Sequence, residues 1–463
     1  MNKKDISKIH SYIIIVASII FISACIITKT SLAYGFLGGI IFTSFILIKY
    51  KYSIKDIIVL ILSGLKEAWT LYVLILLIGA TASVWLASGV VPSLMYYGFE
   101  YMKGMNFLFA TFLIVSLVSI FMGTAVGTVS TIGIALLGVG KGFGVPTPLL
   151  LGVIVSGAFI ADKISPISGL FNLTLTTTKR SYKEVMTVML PTFLPLFLIT
   201  ALVYYLMGRN FIISTGAQNL IHYQKAILDG FKISPYIALL PAIILIMSLC
   251  GAKTIPTILI GLFAGCLVSV FSQHLSLDVL IKSIFFGYKG STASTELNKI
   301  LISGGIKSMI EVIFIVIGAV SLTSLFEKTG MIVPLIEKLT NNVQTKGQLI
   351  LKTALISSFL TIITCDQTVG ILLPGRLLQD KYNELSIDIT LLARTISDTG
   401  TIIAPLMAWN INALILKSLT GISATAYAPY ATLCYLAPII TIIVSYMFKE
   451  NHKSSVRKIC SKR

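Results

Sequence analysis

Long apolar runs, separated by short polar stretches, extend along most of the chain. The first runs cover residues 11–27, 32–49 and 66–89, and the last covers residues 429–448. Others cover residues 106–122, 148–178, 185–207, 235–250, 253–272 and 349–373. A helix needs about 20 apolar residues to cross the hydrocarbon core of a membrane. The pattern therefore predicts an all-α polytopic membrane protein with roughly ten to twelve transmembrane helices.

The composition agrees with this class. Hydrophobic residues make up 56% of the chain and charged residues 12%, whereas a soluble domain has roughly 25% charged residues. The first apolar run follows three lysines and resembles a signal peptide. An uncleaved first helix explains that run as well, because many more spans follow it.

The basic residues lie at the ends of apolar runs and in the two tails, and the formal net charge is +18. This placement follows the positive-inside rule and indicates orientation in a membrane, not binding to nucleic acid. We therefore expect a multi-pass protein of the bacterial cytoplasmic (plasma) membrane with both termini in the cytoplasm. Its surroundings are membrane lipid, and assembly as a homodimer is left open.

The stretch 156–174 interrupts an apolar run with charged and helix-breaking residues, among them Asp162 and Lys163. An acid inside a membrane is costly and marks a functional site by default. Because Pro166 removes a backbone N–H, the helix should break near residues 165–169. A break at membrane depth is tolerated where it lines a cavity or is buried in protein. We therefore expect Asp162 to lie at an ion site beside the break.

Four oxygen-bearing side chains of this stretch have helical spacing, namely Asp162, Ser165, Ser168 and Asn172. Residues three or four apart share a helix face, and such oxygens suit a hard cation. We expect Na⁺ to be bound by Asp162 and Ser165 in particular. A carboxylate also carries a proton, so one acid can hold either ion and couple their movement. The alternative for Asp162 is a structural ion pair with adjacent Lys163 or another basic residue.

Residues 123–133 form a second polar stretch inside apolar sequence, rich in Gly, Ser and Thr. Small residues of this kind are typical of close helix–helix packing. They also fit a half-helix whose hydroxyls face an ion path. On the second interpretation Thr128 is a candidate ligand.

The second half of the chain repeats the first at an interval of about 241 residues. The matches are Gly64-Leu65-Lys66 with Gly305-Ile306-Lys307, Trp85 with Phe326, and Ser165-Pro166 with Ala404-Pro405. Duplicated halves with breaks at corresponding positions indicate a transporter. We divide the chain into an N-terminal helical hairpin and connector (1–59), repeat 1 (60–207), an inter-repeat loop with extra helices (208–302), repeat 2 (303–448) and a basic cytoplasmic tail (449–463). The two repeats are expected to be inverted.

Repeat 2 has polar groups of its own inside apolar sequence. Its candidates for ion or substrate binding are Asp366, Asp398, Thr401 and Asn410. Arg394 lies four residues before Asp398, so a structural salt bridge between them is an equal alternative. Structural or pairing roles are assigned to Lys163, Arg394, Pro166 and Pro405.

Several of these motifs resemble the NhaC family of sodium/proton antiporters. Residues 161–168 (ADKISPIS) followed by Asn172 are similar to the family's GDKMSPLSDTTN signature, residues 76–97 to its LIGxxxxxWxxSGxxPxxxYYG stretch, and residues 123–128 to its GTSxGT stretch. In repeat 2, residues 366–367, 373–376 and 392–410 resemble its DQ, PGR and LSRxxEDSGT…PLxPWN elements. The resemblance covers about residues 60–448. It implies duplicated helical units with discontinuous helices and an ion/proton exchange function.

One position departs from the family pattern, because Gly169 stands where the family usually has an acid. The family also resembles exchangers of organic acids, such as malate against lactate, and relatives proposed to carry amino acids. We predict a secondary active transporter, a Na⁺/H⁺ antiporter that works by alternating access around Asp162. The alternative is a Na⁺- or H⁺-coupled carrier or exchanger of a small organic acid or amino acid.

Nothing in the sequence indicates an enzyme. The six cysteines have no metal-ligand spacing, which favours buried thiols over a metal site. The chain has no nucleotide-binding P-loop, so it does not match an ATP-driven pump. We expect no cofactor apart from the transported Na⁺ and H⁺.

Overall fold

The computed structural model describes residues 6–211, 217–340 and 342–447. The basic tail predicted over residues 449–463 lies outside the described residues. Within them the protein is helical, with an isolated β-bridge between Lys289 and Ile302. Ten helices are long and apolar enough to cross a membrane, or up to twelve if each of two bent helix pairs is one span. This confirms the predicted all-α polytopic fold.

The N-terminal region consists of α1 (Lys8–Ile27), α2 (Leu32–Lys49) and α3 (Ile54–Glu67). The first half continues with α4 (Trp69–Ala87), α5 (Val90–Tyr101), α6 (Phe107–Met122), α7 (Ala125–Thr128), α8 (Ile134–Gly142), α9 (Thr147–Ala158), α10 (Ile160–Ile164), α11 (Gly169–Thr178) and α12 (Tyr182–Gly208). A π-helical turn, Val129–Gly133, joins α7 to α8 without a change of direction in the chain.

The middle of the chain contains α13 (Ala217–Gly230), α14 (Pro235–Ala238), α15 (Leu240–Leu249), α16 (Thr254–Phe271), α17 (Leu277–Phe286) and α18 (Thr295–Ile300). The second half contains α19 (Gly305–Lys328), α20 (Val333–Thr340), α21 (Lys346–Thr364), α22 (Gln367–Leu377), α23 (Gln379–Glu384), α24 (Ile389–Ile396), α25 (Ile411–Thr420), α26 (Ala424–Tyr427) and α27 (Thr432–Met447). A second π-helical turn, Ser397–Thr401, follows α24 and leads to a short 3₁₀ turn at Ala404–Leu406.

The connector predicted at the end of the N-terminal region (1–59) contains the start of α3. Ser53 and Asp56 form a capping box that begins this helix, since each side chain satisfies a backbone N–H that the first turn leaves unpaired. The helix packs along α19, and the Ser324 hydroxyl donates to the Leu60 carbonyl at 2.6 Å. This contact joins the connector to the first helix of the second half.

Each half of the chain contains two helix breaks at corresponding positions. In the first break of each half the chain leaves a long helix through a left-handed residue, Gly123 (φ +65°) or Cys365 (φ +60°), and a polar side chain caps the next helix. The capping residues form two pairs, Thr124 with Asp366 and Ser168 with Asn410. In both pairs the residue numbers differ by 242. The predicted interval therefore reappears in the geometry of the breaks.

The breaks of each half lie against one another. In the second half the Ile411 backbone N–H donates to the Cys365 carbonyl at 3.1 Å. In the first half a Cβ on Gly123 would lie 3.0 Å from the carbonyl carbon of Ile167. Two interrupted helices therefore cross at their break points in each half, which brings half-helix ends into the interior of the protein.

Candidate functional site

A cavity of ≈ 480 Å³ lies at the helix breaks and takes its walls from both halves of the chain. Its titratable lining residues are Glu67, Asp162, Glu327, Lys328 and Asp366. The starts of four helices also reach it, through the N-cap residue Thr124 and the first helical residues Gly169, Gln367 and Ile411. A helix N-terminus carries partial positive charge, so these ends favour the anionic form of carboxylates placed among them.

Asp162 lies on the short helix α10, and its side chain is 5% exposed. The Ser168 hydroxyl donates to its Oδ1 at 3.4 Å, and the Ala125 backbone N–H also donates to the carboxylate. Both donors belong to helix starts, at α11 and α7. No lysine or arginine in the described part of the chain pairs with Asp162, so its charge is balanced by helix ends and a hydroxyl.

The oxygen stripe expected from spacing is interrupted at Pro166, where α10 has already ended. The Ser165 hydroxyl donates to the Ile120 carbonyl at 2.5 Å and ties the break to α6. The Asn172 amide donates to the carbonyls of Pro166 and Ser168, both at 2.9 Å. Ser165 and Asn172 thus hold the break in place, while Ser168 reaches the carboxylate.

Asp366 lies at the break of the second half that corresponds to the Gly123 break, and it caps α22. Its Oδ1 accepts from the Thr368 backbone N–H and from the Thr368 hydroxyl, both at 3.2 Å. Its neighbour Gln367 donates to the Thr401 carbonyl at 2.5 Å and accepts from the Asn412 amide at 2.9 Å. Asp162 and Asp366, although 204 positions apart in number, therefore face one cavity.

Asn410 and Thr128 play local roles beside this cavity. The Asn410 side-chain oxygen, Oδ1, accepts from the Asn412 backbone N–H at 3.0 Å and caps α25. The Thr128 hydroxyl donates to the Thr124 carbonyl at 2.8 Å within the first turn of α7. Neither residue belongs to the cavity lining, whereas Asn412 and Thr124 do.

Acidic side chains outnumber basic ones in the lining of the cavity. Lys328 donates to Glu67 at 2.7 Å and to the Ser63 hydroxyl at 2.7 Å. This leaves three carboxylates, those of Asp162, Asp366 and Glu327, facing the same space. A cleft lined by one sign of charge concentrates the opposite ion. The arrangement therefore favours cations over anions.

Lys163 and Asp398 form an ion pair outside this cavity, with side chains 0% and 1% exposed. The other oxygen of Asp398 accepts from the hydroxyls of Thr192 and Thr441, at 2.9 and 2.5 Å. Arg394 donates to the Ser445 hydroxyl at 3.0 Å. The positive charge next to Asp162 in sequence is therefore directed to a different carboxylate.

Comparison with known proteins identifies the family of this chain. A model of the Na⁺/H⁺ antiporter family matches residues 170–448. The chain belongs to this family. It is 30% identical to the malate-2H⁺/Na⁺-lactate antiporter of Bacillus subtilis over 408 residues, 87% of this chain and 86% of that protein. It is also 30% identical to the Na⁺/H⁺ antiporter NhaC of Alkalihalophilus pseudofirmus, over 83% of this chain and 84% of that protein. The arginine/ornithine antiporter ArcD of Halobacterium salinarum is 29% identical over 83% and 79% of the two chains.

As a Na⁺/H⁺ antiporter family member, the chain is a multi-pass membrane protein of a transporter family. Sequence reasoning singled out Asp162, Ser168 and Asp366, which the fold gathers at one cavity or beside it. It did not single out Glu67, Glu327, Gln367, Asn412 and Thr124, which also line that cavity. Glu67 and Glu327 lie near the ends of apolar runs, where exposed charge is common, so no local signal marked them. Thr124 and Gln367 did carry a signal, because each lies at a predicted break next to a motif residue.

Proposed function

We propose that this protein exchanges Na⁺ for H⁺ by alternating access, with Asp162 binding the two ions in turn. The observation that supports this most directly is the position of Asp162, which is a buried carboxylate without a basic partner in the described residues. It lies on the wall of an acidic cavity, between two helix starts. Such a carboxylate can accept a proton or a monovalent cation, but the two compete for the same oxygens.

The negative lining supports Na⁺ as the cargo. Asp366 and Glu327 face the same space as Asp162, and together they raise the local concentration of cations. Hydroxyl and amide oxygens from Ser168, Thr368 and Asn412 lie near these acids, and hard cations take oxygen ligands. In this proposal Na⁺ and H⁺ are cargo and no resident cofactor takes part.

The two repeats supply the moving parts of the proposed cycle. We propose that repeat 1 (60–207) and repeat 2 (303–448) are inverted units, each contributing one pair of crossing half-helices to the cavity. We further propose that the protein resides in the cytoplasmic membrane with both termini in the cytoplasm, as the placement of basic residues indicates.

The volume of the cavity favours a second candidate. A space of ≈ 480 Å³ is far larger than a Na⁺ needs and lies within the ~300–1,000 Å³ typical of small-molecule sites. Relatives are named for malate/lactate and arginine/ornithine exchange. We therefore keep a Na⁺- or H⁺-coupled exchanger of a small organic acid or amino acid as the alternative. The acidic lining suits an amine better than a dicarboxylate.

Exchange in proteoliposomes tests the proposal. With a proton gradient imposed, wild-type protein should take up Na⁺, and Asp162→Asn should abolish this uptake while remaining folded. Asp278→Asn is the matched control, because Asp278 is an exposed acid paired with Lys282 outside the cavity. Normal uptake by Asp162→Asn would overturn the assignment. Uptake that occurs only when malate, lactate, arginine or ornithine is present would favour the second candidate.

A further inference from the structure

A second, much smaller cavity of ≈ 30 Å³ lies beside the first and is lined by hydroxyl-bearing and aliphatic side chains. Its hydroxyl-bearing residues include Thr81, Ser130, Thr131, Ser248 and Thr257, and no titratable side chain lines it. They come from α4, the π-helical turn, α15 and α16. A cavity of this size holds a water molecule or a single ion and is too small for an organic acid or amino acid.

The hydrogen-bond pattern shows what these hydroxyls offer to an occupant. The hydroxyls of Ser130 and Thr131 both donate to the Gly127 carbonyl at 2.9 Å, and that of Thr257 donates to the Lys253 carbonyl at 3.0 Å. A hydroxyl has one proton to donate and two lone pairs. Because the protons are used within their own helices, lone pairs remain for the cavity. A wall of acceptor oxygens suits a cation and disfavours an anion.

Thr81 provides a buried polar group in this space that an occupant could satisfy. Its side chain is 3% exposed, and its hydroxyl has no hydrogen-bond partner among the described residues. Buried hydroxyls are rarely left without a partner in native proteins, and each exception needs an explanation such as a bound ion or water. Thr81 lines the small cavity, so an occupant there would satisfy it.

The hydroxyls of Ser130 and Thr131 have no counterpart in the second half of the chain, which argues against a purely structural origin. The positions that lie 242 residues after Ser130 and Thr131 are Leu372 and Leu373. The corresponding helix of the second half therefore packs with apolar side chains. The hydroxyl stretch also contains the π-helical turn Val129–Gly133, a feature that occurs frequently at functional sites.

The small cavity adjoins the acidic one. Thr124 and Thr254 line both, and Thr124 caps the helix whose first residue, Ala125, donates to Asp162. We propose that the hydroxyl cavity is a second Na⁺ site, which holds its ion with neutral oxygens next to the carboxylate site. The inference rests on the proposed function for the identity of the ion. The neighbouring carboxylates supply the negative potential that a neutral set of ligands lacks.

Equilibrium binding of radioactive sodium to purified full-length protein tests this proposal. Wild type should bind two Na⁺ per chain. Asp162→Asn should retain one, because the small cavity holds its ion with neutral oxygens. Thr81→Val should lower the Na⁺ affinity of one of the two sites by about ten-fold or more. This is the usual effect when a charged group loses one oxygen partner.

Thr111→Val is the matched control. Thr111 is also completely buried with an unpartnered hydroxyl in the described structure, but it lies on α6 and lines neither cavity. Thr111→Val should bind two Na⁺ as wild type does. This control distinguishes the loss of a Na⁺ ligand from the general effect of losing a buried hydroxyl. If wild type binds a single Na⁺ and Asp162→Asn binds none, this inference alone is overturned, and the small cavity holds a resident water. Binding by Thr81→Val that equals wild type would overturn it as well. A wild type that binds no Na⁺ would overturn the proposed function too.

Discussion

Lys163 and Asp398 pair across the two halves of the chain, with both side chains removed from solvent. The adjacent residue, Asp162, faces the acidic cavity and has no basic partner in the described structure. Two neighbours on the five-residue helix α10 thus have different roles. One carboxylate neutralises the lysine, which leaves the other able to bind a cation or a proton.

Breaking this pair from either side should destabilise the protein. Asp398→Asn and Lys163→Met each leave one buried charge without its partner, which typically costs about 3–5 kcal/mol. We expect both variants to lower the unfolding midpoint in detergent. The double variant Lys163→Met/Asp398→Asn should recover much of the loss, because it buries no uncompensated charge. A double variant that is stable but inactive in transport would assign Asp398 an ion-binding role beyond pairing.

Sodium binding should release protons. A protonated carboxyl carries no charge with which to hold a cation, so Na⁺ must displace the proton from Asp162. Apparent Na⁺ affinity should therefore fall as the pH is lowered, and by reciprocity protons should bind less tightly when Na⁺ is present. Calorimetric titration in buffers of different ionisation enthalpy measures this directly. An observed heat that does not depend on the buffer would mean that no proton is released.

Gly169→Asp should strengthen Na⁺ binding. Gly169 is the first residue of α11 and lines the acidic cavity, and a Cβ there would meet no atom within 4 Å. An added carboxylate therefore has room, and its negative charge is favoured at a helix N-terminus. In a wet cavity its attraction for Na⁺ contributes about 1 kcal/mol to the binding free energy, which is about five-fold in affinity. The coupling ratio of Na⁺ to H⁺ should change as well.

Gly169→Asn is the control for this change, since it adds the same volume without charge. Sodium dependence should differ between the Asp and Asn variants in both binding and exchange assays. If both variants bind Na⁺ as wild type does, position 169 does not contribute to the ion path.

Gly123→Ala should destabilise the first crossing of half-helices. Its backbone is left-handed (φ +65°), which costs about 1–2 kcal/mol for a residue with a Cβ. A Cβ would also press on the Ile167 backbone, at 3.0 Å from the carbonyl carbon.

Gly104→Ala separates the two effects, because Gly104 has φ +77° but open space around its Cβ position. We expect a larger fall in the free energy of unfolding for Gly123→Ala, with loss of exchange. Equal losses would show that contact with Ile167 is unimportant.

Local properties of the sequence were enough to predict the spans and the break near Pro166. Span length follows from the thickness of the membrane, and a proline interrupts its helix whatever surrounds it. The acidic character of the site at Asp162 followed from the cost of placing a charge in apolar sequence. These features depend on residues that are close together in the chain.

The partners of the charged residues were decided by the tertiary structure. Helical spacing placed Arg394 on the same face as Asp398, and the fold brings Lys163, 235 positions earlier in the chain, to Asp398 as an ion-pair partner. The same spacing placed Ser165 and Asn172 beside Asp162, yet the chain turns at Pro166, and both side chains hold that turn. Glu67 and Lys328 meet although they belong to different halves. Spacing describes one face of one continuous helix, whereas the crossing of broken helices determines which faces meet. The sequence by itself therefore determined where this protein is interrupted and charged, and only the packing of its two halves decided which carboxylate is neutralised and which remains in the cavity.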